Sequence, residues 1–397
     1  MLFRSWGPIY WPVTGQRCFA IIFRRPEGGP VMPSLKAKTN KIDSEILLKS
    51  FLIPALTTLS IFERRKITHR AIRPDNVFAS GTEGGNFVFG DCVSVPPSWG
   101  QSTIFETIES TMTPPTGRGK GTIADDIYSL GATMLFMGLG QCPVAGMKEG
   151  ELLAAKVENG SFATMLGGEV VPGGLREPIR GMLSDDPIDR WTIDDLTQWT
   201  SGTLRRNARP IRDYKTDRPV KVRDREYRNT RMLAHAHGLH WKEAAKQLKS
   251  KEFDTWLHRG LSDADLVEEL EDLIAASSGG EAEASDAKLV TRVCALLDPE
   301  GPLKYKSLTV MPDGMGYALA AAVADGNKEI IDLVTELIQK GIASDWFEQK
   351  IDTGRGDLTL EAKTFKRLQQ FVRHSGPGYG VERVLYEIGR ASCRERV

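Results

Sequence analysis

THRAIRPDNVF, residues 68–78, places a histidine, two arginines and an asparagine close together in one polar stretch. Residues 44–66 precede it, and their apolar side chains recur at helical spacing. Pro54 interrupts that pattern and is expected to kink the helix or to begin a second one. Short strands are expected after the stretch, up to Val95. The polar side chains are therefore predicted to lie in a loop between a helix and short strands.

Further polar motifs follow this loop in sequence. Asp91 ends a short apolar segment, and Asp126 lies at the start of the strongly apolar residues 124–138, which predict a buried helix. The motifs are VFGDCV (residues 88–93), ETIEST (106–111), DDIYSLG (125–131) and DDPIDRWT (185–192).

In this order and spacing, the motifs resemble the signatures of the large lobe of bacterial serine/threonine protein kinases. His69, Arg70 and Asn76 match the catalytic loop His-Arg-Asp-Leu-x-x-x-Asn. Arg73 takes a position often held by lysine, and Asp91 falls where the family has the metal-binding aspartate of Asp-Phe-Gly. The resemblance implies an α+β, protein-kinase-like fold with a mostly helical large lobe and a remnant of the small lobe, followed by an all-α domain.

The resemblance extends over about residues 16–200 and divides the chain into segments. The last of these, EIGRASCRERV, resembles the translation of a sequencing adaptor and is left out of the fold; a natural basic tail is the alternative. The expected segments are 1–30 (remnant of the small lobe and hinge), 31–202 (large lobe), 203–224 (linker), 225–386 (helical module) and 387–397 (adaptor-like tail).

The chain departs from the kinase pattern at the positions that carry out phosphate transfer in kinases. Ala71 stands at the position of the catalytic base, and Cys92 and Val93 replace the Phe and Gly of Asp-Phe-Gly. Asp75 is a candidate replacement base, although the corresponding position in the family points elsewhere. No glycine-rich loop and no Val-Ala-x-Lys strand precede the strand expected at residues 16–26. Truncation of the small lobe is the favoured expectation, and a protein that never had these elements is the alternative.

The resemblance also implies roles for the matched residues. His69, Arg70 and Arg73 belong to a degenerate catalytic loop, in which Arg73 supplies a cation for a γ-phosphate. Asn76 and Asp91 are the implied ligands of both nucleotide and metal, so that the cofactors are ATP and Mg²⁺, bound weakly or not at all by this chain.

Three further residues receive architectural roles from the resemblance. Glu109, with Glu106 as its rival, stands for the glutamate of Ala-Pro-Glu and is expected to form a buried ion pair with Arg190. Asp126 is expected to accept hydrogen bonds from the main chain of the catalytic loop.

Several features have a less specific explanation. GRGKGT, residues 117–122, lacks the Gly-Lys-Ser/Thr order of a phosphate-binding loop and reads as a solvated loop. His235, His237 and His240 do not share one helical face, so that solvent-facing or capping histidines are favoured over a metal site. The segment 277–285 is rich in Gly, Ser and Glu and is expected to be disordered.

Composition gives no sign of a nucleic-acid or membrane partner. The net charge is zero, and no uninterrupted apolar run approaches the length of about 18 residues that a spanning helix needs. The five cysteines are scattered without a CxxC pair, which is typical of reduced thiols and favours a cytoplasmic location.

Taken together, these features predict a pseudokinase of bacterial signalling that binds a nucleotide, a partner or both, with the helical module contacting protein partners. An active, atypical serine/threonine kinase is the first alternative, because both implied metal ligands are retained. A scaffold that binds no nucleotide is the second.

Overall fold

The computed structural model describes residues 3–24, 26–80, 86–171, 173–204, 214–277, 282–352 and 356–374. Within these residues the chain is mainly helical and contains four separate two-stranded antiparallel sheets, which confirms the α+β class. The adaptor-like tail, residues 387–397, and much of the expected linker lie outside the described residues.

The chain forms two compact units. The first consists of Met1–Thr107 and Lys120–Ile211, and the second consists of Ile108–Gly119 and Arg212–Val397. The short segment Ile108–Gly119 thus belongs to the second unit although its neighbours on both sides belong to the first.

The first unit contains two hairpins and a set of helices. Phe3–Trp11 pairs with Gln16–Phe23, where a strand was predicted, and Val77–Ala79 pairs with Phe87–Phe89. The first hairpin leaves large apolar side chains exposed, among them Trp6. The helices are Ser44–Ile46, a π-helical turn Leu47–Leu52, Ile53–Arg64, Ile123–Leu139, Glu149–Asn159, Ser161–Leu166, Arg176–Met182 and Ile193–Thr200, with 3₁₀ turns at Pro74–Asn76, Thr103–Phe105 and Gly173–Leu175.

The helix Ile123–Leu139 forms the centre of this unit. Asp125 accepts hydrogen bonds from the main-chain N–H and the hydroxyl of Thr122, which caps the start of the helix. All residues from Asp126 to Leu139 are buried, and Gly140 ends the helix in the left-handed conformation. The run of apolar residues in the sequence is explained by this burial on every side.

Ser44–Arg64 is long and apolar enough, by length and composition alone, to cross a membrane. About a third of its most apolar window is buried, and residues such as Leu52 and Leu59 lie in the core of the first unit. A core helix passes the same test of length and composition. Pro54 is the second residue of Ile53–Arg64 and comes directly after the π-helical turn Leu47–Leu52, so that the irregular turn lies next to the residue that has no main-chain N–H to donate.

The second unit is mostly helical but is not all-α, which corrects the expectation for this region. Lys215–Val222 pairs with Arg225–Asn229, and Leu303–Tyr305 pairs with Leu308–Val310. Its helices are Ile108–Thr111, Thr230–Leu239, Trp241–Leu248, Lys251–Gly260, Ala264–Ala276, Ala282–Leu297, Met315–Asp325, Lys328–Gln339, Ile342–Asp352 and Thr359–His374, with 3₁₀ turns at Pro115–Gly117 and Gly356–Leu358.

Two local predictions for this unit were wrong. The strand Lys215–Val222 lies in the stretch expected to be a linker. Val220 and Val222 are buried, whereas Lys221 between them is exposed, which is the alternation of a strand with one buried face. Ala282–Leu297 is a helix that begins inside the segment expected to be disordered, and residues 278–281 of that segment lie outside the described residues.

His237 also differs from its expected solvent-facing position. Its side chain is fully buried, lies 6.0 Å from the Phe253 ring centroid, and places Nε2 3.3 Å from Oε1 of Gln247. Burial lowers the pKa of His237 to about 4, although the hydrogen bond to Gln247 favours the charged form.

Stability is therefore expected to depend on pH through His237. Between about pH 6.5 and 4 the unfolded chain is protonated at this position and the folded chain is not, so stability is lost as pH falls, by about 1.4 kcal/mol per pH unit. His237→Gln should flatten this slope in urea unfolding, whereas His258→Gln, at an exposed histidine, should leave it unchanged. Equal slopes in all three proteins would contradict the assignment.

Candidate functional site

The polar loop of residues 68–76 is attached to the central helix by one carboxylate. Asp126 accepts the main-chain N–H of His69 at 2.7 Å and that of Arg70 at 2.8 Å. These are the hydrogen bonds expected of Asp126. Burial raises the pKa of Asp126 to about 7, although both hydrogen bonds and the Arg70 guanidinium favour its charged form.

Arg70 lies in the left-handed region with φ at 50° and turns its side chain into the unit. Its Nη2 lies 2.7 Å from Oε2 of Glu106, and both side chains are buried. Ser98 donates its hydroxyl to the other oxygen of Glu106 at 2.5 Å, and Arg70 Nη1 lies 3.5 Å from Asp125. Glu106, considered above as a rival of Glu109, is thus the counter-ion of the loop arginine.

Lys156 and Gln101 fix the residues around this ion pair, and the sequence analysis missed both. The buried Lys156 ammonium donates to the main-chain oxygens of Thr103, Ile104 and Glu106 at 2.9, 3.3 and 2.8 Å. Gln101 donates to the main-chain oxygen of Ile72 at 3.2 Å. Lys156 follows the buried Leu152 and Leu153 at helical spacing, and this spacing is the signal that would have found it.

The side chains of Asn76 and Asp91 lie close together, and both form hydrogen bonds with main-chain groups. The Asn76 amide nitrogen donates to the main-chain oxygens of Ala71 and Asp91, each at 2.8 Å, and its oxygen accepts the N–H of Asp91 at 3.2 Å. The Asp91 carboxylate accepts the N–H groups of Val93 at 3.1 Å and Ser94 at 3.3 Å.

Gly90 makes this arrangement sterically possible. Its N–H donates to the main-chain oxygen of Asn76 at 2.7 Å, and a Cβ built at residue 90 would lie 1.9 Å from Oδ1 of Asn76. Only a residue without a side chain fits beside the Asn76 amide in this position.

Arg73 and Asp75 neutralise each other. Arg73 Nε lies 3.0 Å from Asp75 Oδ1, and Arg73 Nη1 donates to Gln101 at 3.3 Å. Arg73, expected to supply a cation for a phosphate, and Asp75, considered as a replacement base, are therefore engaged with each other.

The histidine and cysteine of the site are held in uncharged forms by burial. Burial lowers the pKa of His69 to about 4, and its ring lies near Phe62 and Phe89. Burial raises the pKa of the Cys92 thiol to about 11, and Asp91 adds to that effect. Neither group is suited to proton transfer or nucleophilic attack near neutral pH.

The structure brings His69, Arg70, Arg73, Asn76, Asp91 and Asp126 together in the first unit. In that unit Arg190 donates Nε to the main-chain oxygen of Ser184 and lies over the Tyr128 ring at 5.4 Å. Glu109 belongs to the second unit, where Arg231 Nη2 lies 3.1 Å from its carboxylate. The ion pair between Glu109 and Arg190 stays a prediction.

Metal-binding sites in proteins group several His, Cys, Asp or Glu side chains within a few ångströms of one another. Within the described residues one compact group of three emerges, consisting of Asp254, His258 and Glu271 at the surface of the second unit. His258 and Glu271 already contact each other at 2.7 Å, and exposed groups of this kind are common without an ion.

Comparison with known proteins adds no family to these observations. No protein-family model matches the chain, and no curated protein matches it.

Replacing Asp126 by Asn should destabilise the first unit. An amide offers one oxygen, so that one of the buried N–H groups of His69 and Arg70 loses its acceptor, at a cost of about 2–4 kcal/mol. Asp194→Asn, at an exposed position, should change the free energy of unfolding by less than about 0.5 kcal/mol. Urea unfolding of the two variants measures the difference; equal small losses would contradict this role of Asp126.

Lys156→Met should loosen the turn at Thr103–Phe105. The apolar side chain fits a buried position but leaves three main-chain oxygens without the ammonium, at a cost of about 2–4 kcal/mol. Hydrogen exchange at residues 103–107 should become faster. The control Lys148→Met, at an exposed position at the start of the same helix, should leave that exchange unchanged, and a similar increase in both variants would contradict the assignment.

Proposed function

We propose that this protein is a kinase-like signalling protein of bacteria that acts in the cytoplasm by binding rather than by transferring phosphate, as a pseudokinase does. The order of the motifs along the chain supports the kinase-like fold. The contacts of Asp126 with the loop and of Arg70 with Glu106 support it further, because they connect the motifs that the resemblance selects.

The observation that carries the proposal is the closed set of hydrogen bonds at Asn76 and Asp91. Mg²⁺ prefers six oxygen ligands in near-octahedral geometry at about 2.1 Å. The Asn76 oxygen is buried and already accepts the N–H of Asp91, while the Asp91 carboxylate caps the turn at residues 93–94. The two side chains therefore fit an ion poorly unless these hydrogen bonds are exchanged.

The other chemical requirements of phosphate transfer are also weakly met. Ala71 has no side-chain acceptor for the proton of a substrate hydroxyl, and a general base is worth about 10²–10⁴ in rate. Asp75, the candidate replacement base, is paired with Arg73, the candidate cation for the γ-phosphate, so that neither side chain is available for its expected role. We therefore infer weak binding of Mg·ATP, with Kd on the order of 1 mM or weaker.

In this proposal, the second unit binds the partner. It contains its own buried cores and many helices, and it holds no compact metal-type group in its described part besides the exposed one named above. A protein partner contacting this helical module is the role we assign to it.

Thermal unfolding with and without Mg·ATP tests the proposal. At 1 mM nucleotide we expect a Tm increase of at most about 2 °C, because a ligand present near its Kd adds only about 0.4 kcal/mol. Asp91→Asn should remove any part of this Tm increase that requires Mg²⁺. Asp186→Asn is the matched control, since Asp186 also accepts an N–H two residues ahead, that of Ile188.

The possible results separate three functions. A Tm increase above about 5 °C that requires Mg²⁺ and Asp91, together with phosphate transfer to a protein substrate, would overturn the proposal in favour of an active atypical kinase. A small, Asp91-dependent increase supports a nucleotide-binding pseudokinase. No increase in any variant supports a scaffold that binds partners alone.

A further inference from the structure

The first hairpin, Phe3–Trp11 with Gln16–Phe23, lies at the surface of the first unit. None of its described side chains from residue 4 to residue 23 is buried. A two-stranded hairpin is at best marginally stable in water unless its apolar side chains are covered. A contact that covers one face of this hairpin would therefore stabilise it.

One face of the hairpin is almost entirely apolar. Side chains of directly opposed residues in an antiparallel pair lie on the same face, and successive residues of a strand alternate between faces. What we call the aromatic face consists of three such cross-strand pairs: Trp6 and Ile21, Pro8 and Phe19, and Tyr10 and Arg17. The ring centroids of Trp6 and Phe19 lie 5.3 Å apart on this face.

The three rings of the aromatic face are mostly exposed to solvent. Trp6, Tyr10 and Phe19 are 66%, 75% and 65% exposed. A covered aromatic side chain buries about 150–250 Å², so that three rings exposed to this extent offer roughly 300–500 Å². Apolar patches of this size on a soluble protein are often functional.

The hairpin is also locally basic, although the net charge of the whole chain is zero. Residues 3–24 contain three arginines and no aspartate or glutamate. Arg24 lies 3.9 Å from Glu27, which follows the hairpin, whereas Arg4 and Arg17 are exposed within the two strands. Arg17 belongs to the aromatic face itself. A surface that complements this face is therefore apolar and negatively charged.

We propose that the aromatic face is a docking site for a membrane surface that carries anionic phospholipids. Tryptophan and tyrosine are enriched at membrane–water interfaces, because their side chains combine an apolar ring with a polar group. Phe19 and Ile21 enter the boundary of the acyl chains, while the stem of Arg17 lies along it and the guanidinium reaches the phosphates. The hairpin lies on the membrane and does not span it.

Two other occupants fit the aromatic face less well. A second copy of the hairpin would bring the same arginines and no carboxylate to pair with them, because a two-fold interface presents the same patch from both sides. A single-stranded nucleic acid would stack its bases on the rings but would leave Pro8 and Ile21 without a counterpart. Anionic lipid offers both hydrocarbon for the apolar side chains and phosphate for Arg17.

Flotation of the full chain with lipid vesicles tests the proposal. The vesicles consist either of phosphatidylcholine alone or of phosphatidylcholine with a minority of phosphatidylglycerol. We expect binding to the anionic vesicles to be at least about tenfold tighter, since each arginine near such a surface adds on the order of fivefold. The difference should shrink as salt is added, because salt screens exposed charges. Hydrogen exchange at residues 4–23 should slow when anionic vesicles are added.

Two variants remove the two kinds of interaction separately. Tyr10→Ser takes one exposed ring from the aromatic face and should weaken binding to anionic vesicles at least about fivefold. Arg17→Gln should weaken that binding on the order of fivefold and leave binding to neutral vesicles unchanged. Both variants keep the contact between the rings of Trp6 and Phe19.

Two matched controls alter exposed residues of the first unit outside the hairpin. Val170→Ser removes an exposed apolar side chain, and Arg180→Gln removes an exposed arginine. Both control variants should bind anionic vesicles like the unaltered protein.

The comparison of lipids and variants decides the outcome. Flotation that requires phosphatidylglycerol, weakens in Tyr10→Ser and Arg17→Gln and is kept in both controls supports the proposal. Absence of flotation, flotation that does not depend on phosphatidylglycerol, or equal binding by variants and controls would overturn it. A lipid-free dimer in sedimentation equilibrium, or binding of a single-stranded oligonucleotide, that is lost in the same variants while vesicles are not bound would assign the face to those partners instead.

Discussion

The carboxylate of Asp126 is the interaction on which the polar site of the first unit depends. A loop that carries a left-handed Arg70 cannot satisfy its own N–H groups by regular structure, and the two groups at His69 and Arg70 are buried. One side chain on the central helix accepts both. The position of Arg70, and through it that of Glu106, follows from this attachment.

A second property of the site is that its polar groups form hydrogen bonds and ion pairs with one another. Asn76 binds the main chain of Ala71 and Asp91, Arg73 binds Asp75, and burial keeps His69 uncharged. Catalytic sites tend to keep groups with shifted pKa values poised toward a substrate. Here the hydrogen bonds hold the loop and the residues around Asp91 in place, and burial is the largest cause of the shifted pKa values of His69 and Cys92.

The attachment of the loop could be predicted because the resemblance carried by the order of the motifs implies it. The buried helix Ile123–Leu139 and the role of Asp126 as an acceptor were both accessible in this way. The contacts of Lys156 and Arg231 were not, since neither residue lies in a motif of the resemblance. The strand Lys215–Val222 was missed because its many charges masked the alternation of buried residues.

The close approach of Gly90 to Asn76 limits which substitutions can accumulate in this sequence during evolution. Any side chain at residue 90 would occupy the place of the Asn76 amide oxygen. A smaller residue at position 76 does not make room for a side chain at residue 90, because the Cβ would also lie 2.7 Å from the main-chain oxygen of Asn76. Residue 90 can therefore change only after the main chain at residues 76 and 90 has moved apart, which no single substitution at residue 76 brings about.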